Sequence, residues 1–105
     1  MEKEEILFEI NTPLEFTVRC EKSYWDRITT FKHPVMRGQE RDVIETLRRP
    51  EEVRRSKKDP SVLLFYRISG KRYVCAVTKK EDHTGFLITA YHTDSIKEGE
   101  RIWIK

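Results

Sequence analysis

VLLFYRI-SGK-RYVCAVTK-KEDHT-GFLITAYH, residues Val62–His92, decides the architecture. Three runs rich in Val, Ile, Phe, Tyr and Thr alternate with short polar links carrying Gly70 and Gly85. β-branched and aromatic residues suit a pleated, packed surface, and links of this kind are turn chemistry, so the stretch predicts a three-stranded antiparallel meander. The first link, around Ser69 and Gly70, is short enough for a hairpin in which Gly70 supplies a positive φ. The second, Lys80 to Thr84, is longer and predicts a looser loop. Both faces of these strands are apolar over much of their length, so the rest of the chain must cover the sheet.

Upstream, Ile6, Phe8 and Ile10 alternate with polar residues, as do Phe16, Val18 and Cys20. Asn11-Thr12-Pro13 punctuates them, which predicts a hairpin of two short strands. Ser23-Tyr24-Trp25-Asp26 resembles a capping-box start for a short helix that places Tyr24, Trp25 and Ile28 on one side and ends near Thr30. Pro34 suits the first turn of a second helix and biases His33 toward extended backbone. Met36, Val43, Ile44 and Leu47 form the apolar stripe of that helix, which runs to Arg49 and stops at Pro50. Glu51 to Lys58 is expected to be a polar connector with room for one turn around Val53, and Arg101 to Lys105 a last short strand after a turn at Asp94–Gly99. The class is α+β, with helices first and a contiguous antiparallel sheet after them.

A chain of 105 residues supports one domain with a single modest core, here residues 1–105. Charged residues make up 37% of the chain, but both signs are mixed and the net charge is only +3. That balance permits nucleic acid as a partner without demanding it. Cys20 and Cys75 show neither CxxC nor metal-ligand spacing, so two buried free thiols are expected rather than a disulfide. No apolar stretch is long enough to span a membrane, and the MEKEEI start is acidic where a signal peptide would be basic. The expectation is a soluble, cytoplasmic protein with no membrane contact.

No G-x-S-x-G, GxxxxGK, GxGxxG or HExxH is present, so the common nucleophile-elbow, nucleotide-phosphate and zinc templates are absent and no cofactor is expected. The remaining chemistry is carried by His, Tyr, Thr, Arg and Lys. That is the inventory of a metal-independent ribonuclease, which needs proton-transfer groups and cations around a phosphorane-like transition state. His33 is the first candidate: it precedes an expected helix start, between Lys32 and Arg37, and an imidazole exchanges protons near neutral pH. Taken on its local sequence alone, His33 is more often a plain helix cap at a partly exposed position. Thr89 and Tyr91 share one face of the last core strand by the period of two, with His92 on the other. Tyr66 would add its hydroxyl if the first core strand turns the same face, and Arg67 would then point away. Both tyrosines also suit core packing with the hydroxyl at the rim. Cations collect at Arg48, Arg49, Arg54, Arg55, Lys57 and Lys58, and again at Arg67, Lys71, Arg72, Lys79 and Lys80. Either group could follow a phosphate backbone or serve as a solvated face.

His33-Pro34, then Val43-Ile44-Glu45-Thr46-Leu47 with Pro50 and Val53, Asp59-Pro60, Phe65-Tyr66-Arg67 and Ile88-Thr89-Ala90-Tyr91 occur in an order that resembles small phage- and mobile-element-associated proteins of the barnase/EndoU/colicin/RelE-like nuclease superfamily. Thr17-Val18 and Trp25 fit the same order, and the likeness extends over roughly Thr12 to Gly99. It implies N-terminal strands and one or two helices packed on a twisted antiparallel sheet of about four strands. It also implies metal-free RNA cleavage, toxin-like in character, with His33 as the acid/base group and Tyr66, Thr89 and Tyr91 on the active surface. Lys32, Arg37, Arg67, Lys71, Arg72 and Lys79 are the expected nucleic-acid contacts. The partners expected are RNA, with tRNA and mRNA as candidates, and a cognate inhibitor protein. A non-catalytic RNA- or protein-binding module on the same scaffold is the alternative.

Overall fold

The computed structural model describes residues 5–105, so Met1–Glu4 of the acidic start lie outside the described residues. The strands are β1 (Ile6–Asn11), β2 (Thr17–Glu21), β3 (Glu52–Arg55), β4 (Val62–Ser69), β5 (Arg72–Glu81), β6 (Thr84–Thr93) and β7 (Glu100–Ile104). Between β2 and β3 the chain forms α1 (Lys22–Arg27), a π-helical turn (Ile28–Lys32), a 3-10 turn (Pro34–Met36) and α2 (Glu40–Arg48). All strands join one seven-stranded sheet in the order β1-β2-β6-β5-β4-β3-β7. β2 and β6 run parallel, and the other neighbours are antiparallel.

This corrects the expected four-stranded antiparallel sheet with one or two helices packed on it: the molecule is mostly sheet, and the sheet is mixed. Two pairings that local patterns do not carry make the difference. The N-terminal hairpin is joined to the meander by the parallel contact of Thr17, Val18 and Arg19 with Thr84, Gly85 and Phe86. The supposed connector Glu51–Lys58 contains β3, which sits between β4 and β7. Val53 is its one buried apolar side chain, while Glu52 and Arg54 pair with each other at 2.6 Å. Strand neighbours on both sides satisfy the backbone of this polar segment and override its weak propensity.

The helical region also departs from expectation. The single helix from Pro34 to Arg49 is split into a 3-10 turn and α2, with Gly38 at φ +81 in the gap. α1 begins at Lys22 with Glu21 in the N-cap position and no side-chain cap bond, so Ser23 lies inside the helix rather than capping it. The helical backbone continues past Thr30 through the π-helical turn. In the meander, Gly70 does carry the positive φ of the first hairpin, at 65°. The second hairpin is tighter than the loose loop expected: Glu81 pairs with Thr84 around Asp82-His83, and Asp82 adopts φ 59, which its short polar side chain tolerates.

The strands present two different faces. On one, Val53, Leu63, Phe65, Val74, Ala76, Leu87 and Ala90 join the apolar side chains of β1 and β2 and bury Trp25, Ile28, Met36, Val43 and Leu47. Each large aliphatic or aromatic side chain buried there contributes about 2 kcal/mol. On the other face lie Leu64, Tyr66 and Cys75, themselves buried, with Tyr73, Val77 and Tyr91, and Ile96 packs against this smaller cluster. Ile96 belongs to the Asp94–Gly99 link, which leaves β6 and must pass β5, β4 and β3 to reach β7. Among the described residues no helix is long and apolar enough to cross a membrane.

Candidate functional site on the open face

Cross-strand register sets the floor of the open face. Tyr66 lies opposite Cys75, and Cys75 opposite Tyr91, giving a Tyr-Cys-Tyr row across β4, β5 and β6. Both phenol hydroxyls engage the Cys75 thiol. Burial pushes that thiol up to about 12, partly offset by its two tyrosine partners, and burial raises both phenols above their ordinary range, helped by the neighbouring thiol. The row is therefore neutral at physiological pH, a set of hydrogen-bond donors rather than nucleophiles or bases. Cys20 is likewise a buried free thiol raised to about 12, by burial first and the charge of Glu21 second.

Thr89 reaches this face because of a bulge. Val77 pairs with Thr89 and Thr78 with Leu87, leaving Ile88 as an extra residue in β6. Leu87 thus packs on the helix-covered side while Thr89, two positions later, faces the open side. The Ile88 carbonyl accepts a hydrogen bond from the Tyr24 hydroxyl at 2.9 Å. Thr89 Oγ1 is buried with no hydrogen-bond partner, an orphan donor beside the tyrosine row.

His33 arrives from the helical region. Its N–H donates to the Ile28 carbonyl at 2.8 Å, closing the π-helical turn, and its carbonyl accepts from the Met36 N–H at 2.9 Å. Held at both ends, it sets its imidazole 5.5 Å from the Tyr91 ring, centroid to centroid. The helix-start argument for an anion there does not survive, because Pro34–Met36 is a three-residue 3-10 turn with too few aligned dipoles. What His33 has is a place beside Tyr91.

Tyr91 also lines a pocket of about 410 Å³ shared with Leu64 and Val77 on the floor, Ser56, Lys57 and Lys58 from the β3–β4 connection, and Glu98 and Gly99 from the β6–β7 link. Arg54 ties that link down, donating to the Gly99 carbonyl at 3.2 Å while holding Glu52. Gly99 adopts φ +81, and a Cβ there would run into the Arg55 carbonyl, so the close approach needs glycine.

The structure therefore brings His33, Tyr66, Thr89 and Tyr91 to one surface. His92 turns to the other side, 3.2 Å from the Gln39 side-chain oxygen. The expected cations are scattered. Lys32 sits 5.8 Å over the Tyr24 ring, and Arg37 lines a separate pocket with Trp25 and Glu40. Arg67 pairs with Val74 on the helix-covered face. Lys71 occupies the β4–β5 turn, while Arg72 and Lys79 form ion pairs with Asp94 at 3.2 Å and Asp59 at 2.8 Å. Sequence reasoning noticed Lys57 and Lys58 as part of a basic run but not as a pocket wall. It read Cys75 only as a buried free thiol, and it missed Glu98 because nothing local shows that the Asp94–Gly99 turn crosses the sheet. Among the described residues, no three His, Cys, Asp or Glu side chains converge to hold a metal ion. No family model, curated protein or solved structure matches the chain.

Proposed function

We propose that the chain is a metal-independent endoribonuclease acting on the open face around Tyr91. The observation that carries this reading is the double contact of Tyr91, with the His33 imidazole on one hand and with the pocket of Lys57, Lys58 and Glu98 on the other. Transphosphorylation needs a base for the ribose 2′-hydroxyl, an acid for the leaving 5′-oxygen and cations for the charge that grows on the phosphoryl oxygens. Near Tyr91, the Glu98 carboxylate is placed to act as base and the His33 imidazole as acid. The 2′-oxygen attacks phosphorus and gives its proton to Glu98. His33 protonates the departing 5′-oxygen, leaving a 2′,3′-cyclic phosphate. Lys57 and Lys58 supply positive charge, and the neutral Tyr91 hydroxyl supplies a donor.

A second reading, capture of RNA without cleavage, is favoured by one feature: the Tyr66 and Tyr91 hydroxyls are already engaged by Cys75. Incubating the protein with total RNA and tRNA in EDTA separates the two. The ribonuclease predicts discrete fragments ending in 2′,3′-cyclic phosphate, with protection of any site whose ribose is replaced by 2′-deoxyribose. Salt-dependent binding with intact RNA selects the binding module. Cleavage that persists at the 2′-deoxy positions contradicts the mechanism.

A further inference from the structure

β2 accompanies β6 only as far as Arg19 and Phe86. It then turns away, and the chain returns beside the strand as α1 and the π-helical turn, with the Tyr24 hydroxyl taking up the Ile88 carbonyl. The departure leaves a notch of about 250 Å³ lined by Arg19, Cys20, Glu21, Tyr24, Phe86 and Leu87. Phe86 is 42% exposed at its wall. Across the Tyr24 ring, 5.8 Å from its centre, sits the ammonium of Lys32. Its chain neighbour Phe31 is 80% exposed, on a turn anchored by buried Ile28 and Thr29. Two residues further on, His33 meets Tyr91.

A single exposed phenylalanine needs no explanation. Here, however, three elements place aromatics and cations along one strand edge: Phe86, Arg19, Tyr24, Lys32, Phe31, then the imidazole of His33. Aromatic faces that accept any base, interleaved with cations for the backbone, are the means by which single-stranded nucleic acid is held. A paired duplex keeps its base faces stacked inside and could not use them. Glu21, the one acidic residue of the notch, sets the orientation: phosphates belong against Arg19 and Lys32, and base edges toward the carboxylate, which accepts from exocyclic amines.

We propose that the outer edge of β6 is a track for single-stranded RNA, with one base in the Tyr24–Phe86 notch, another on Phe31, and the chain leading to His33 and Tyr91. This deepens the ribonuclease reading and rests on it for where the strand leads, but the binding itself can be measured alone. Fluorescence anisotropy with a short fluorescein-labelled 2′-O-methyl RNA, which lacks the attacking hydroxyl, keeps affinity separate from cleavage. Phe31→Ala is expected to weaken binding about tenfold, Phe86→Ala comparably, and Phe31→Trp to retain it. Ile68→Ala, an exposed residue of the same face on β4, should leave affinity unchanged, and the annealed duplex should bind more weakly than the single strand. Unfolding midpoints of the variants are compared alongside; Phe31 is too exposed for its truncation to disturb the core. Wild-type affinity in Phe31→Ala, or duplex binding as tight as single-strand binding, overturns the track. Aromatic-dependent affinity in a protein that cleaves nothing keeps the track and removes the ribonuclease. Cleavage with undiminished affinity in both alanine variants does the reverse.

Discussion

Leu63, Phe65, Val74, Ala76, Leu87 and Ala90 join Val43 and Leu47 of α2 in the main core on one side of the sheet, while the alternate residues of the same strands, Leu64, Tyr66, Cys75 and Tyr91, form a smaller cluster on the other. The first set is aliphatic and aromatic without polar atoms and is sealed by helices. The second carries two hydroxyls and a thiol, and one short link crosses it. Because successive side chains alternate between faces, a strand can give one set to stability and the other to chemistry without either constraining the other. The two faces should therefore respond differently to substitution.

The largest contrast is between truncation on the sealed face and hydroxyl removal on the open one. Leu47→Ala leaves a cavity in a site with no solvent access and is expected to cost about 3–4 kcal/mol in urea unfolding. Tyr66→Phe keeps the ring and loses only the contact to Cys75, so about 1 kcal/mol is expected. Equal costs would mean that the open face is as structural as the covered one.

Gly85→Ala tests the seam that joins the N-terminal hairpin to the meander. A Cβ at Gly85 would press into the Lys79 carbonyl and the Phe16 ring, so a loss of about 2 kcal/mol in the same assay is expected, although a methyl group is the smallest side chain that can be added. An unchanged midpoint would show that the β2–β6 seam has room to adjust.

A smaller effect is expected at the lip of the open face. The hydrogen bond from Lys79, with those from Ser61, holds the Asp59 carboxyl down from 3.8 to about 2. A depressed folded pKa adds stability that is fully present above the unfolded value and is lost as pH falls through the folded one. The wild type should thus exceed Asp59→Asn in urea midpoint near neutral pH, with the gap closing between about pH 4 and pH 2. A gap independent of pH would assign the effect to neutral hydrogen bonding at Asp59 instead.

How much of this could be read in the residues follows from where the information sits. The meander was legible because Val62–Ile68, Arg72–Lys79 and Gly85–His92 each carry strand periodicity within themselves. β3 was not, since Val53 alone faces the core and its neighbours Glu52 and Arg54 read as solvent-exposed. The parallel β2–β6 seam joins segments more than sixty residues apart, beyond any local pattern. The apolar stripe from Met36 to Leu47 predicted one unbroken helix, and the break at Gly38, with its positive φ, was not read from the sequence. Within the site, period two placed Thr89 with Tyr91 correctly because the bulge at Ile88 lies before both. The meeting of His33 with Tyr91 depends on the extra residue of a π-helical turn, and the position of Glu98 on the path of a crossing link; neither has a sequence signature.

The most direct measurement compares wild type and His33→Ala on tRNA in EDTA, with unfolding midpoints determined on the same preparations. His33 is partly exposed and its turn is closed by backbone bonds, so the midpoint should stay within about 0.5 kcal/mol of wild type, while fragments ending in 2′,3′-cyclic phosphate disappear. Unaltered fragmentation by a folded His33→Ala protein would contradict the assignment of catalysis to the open face.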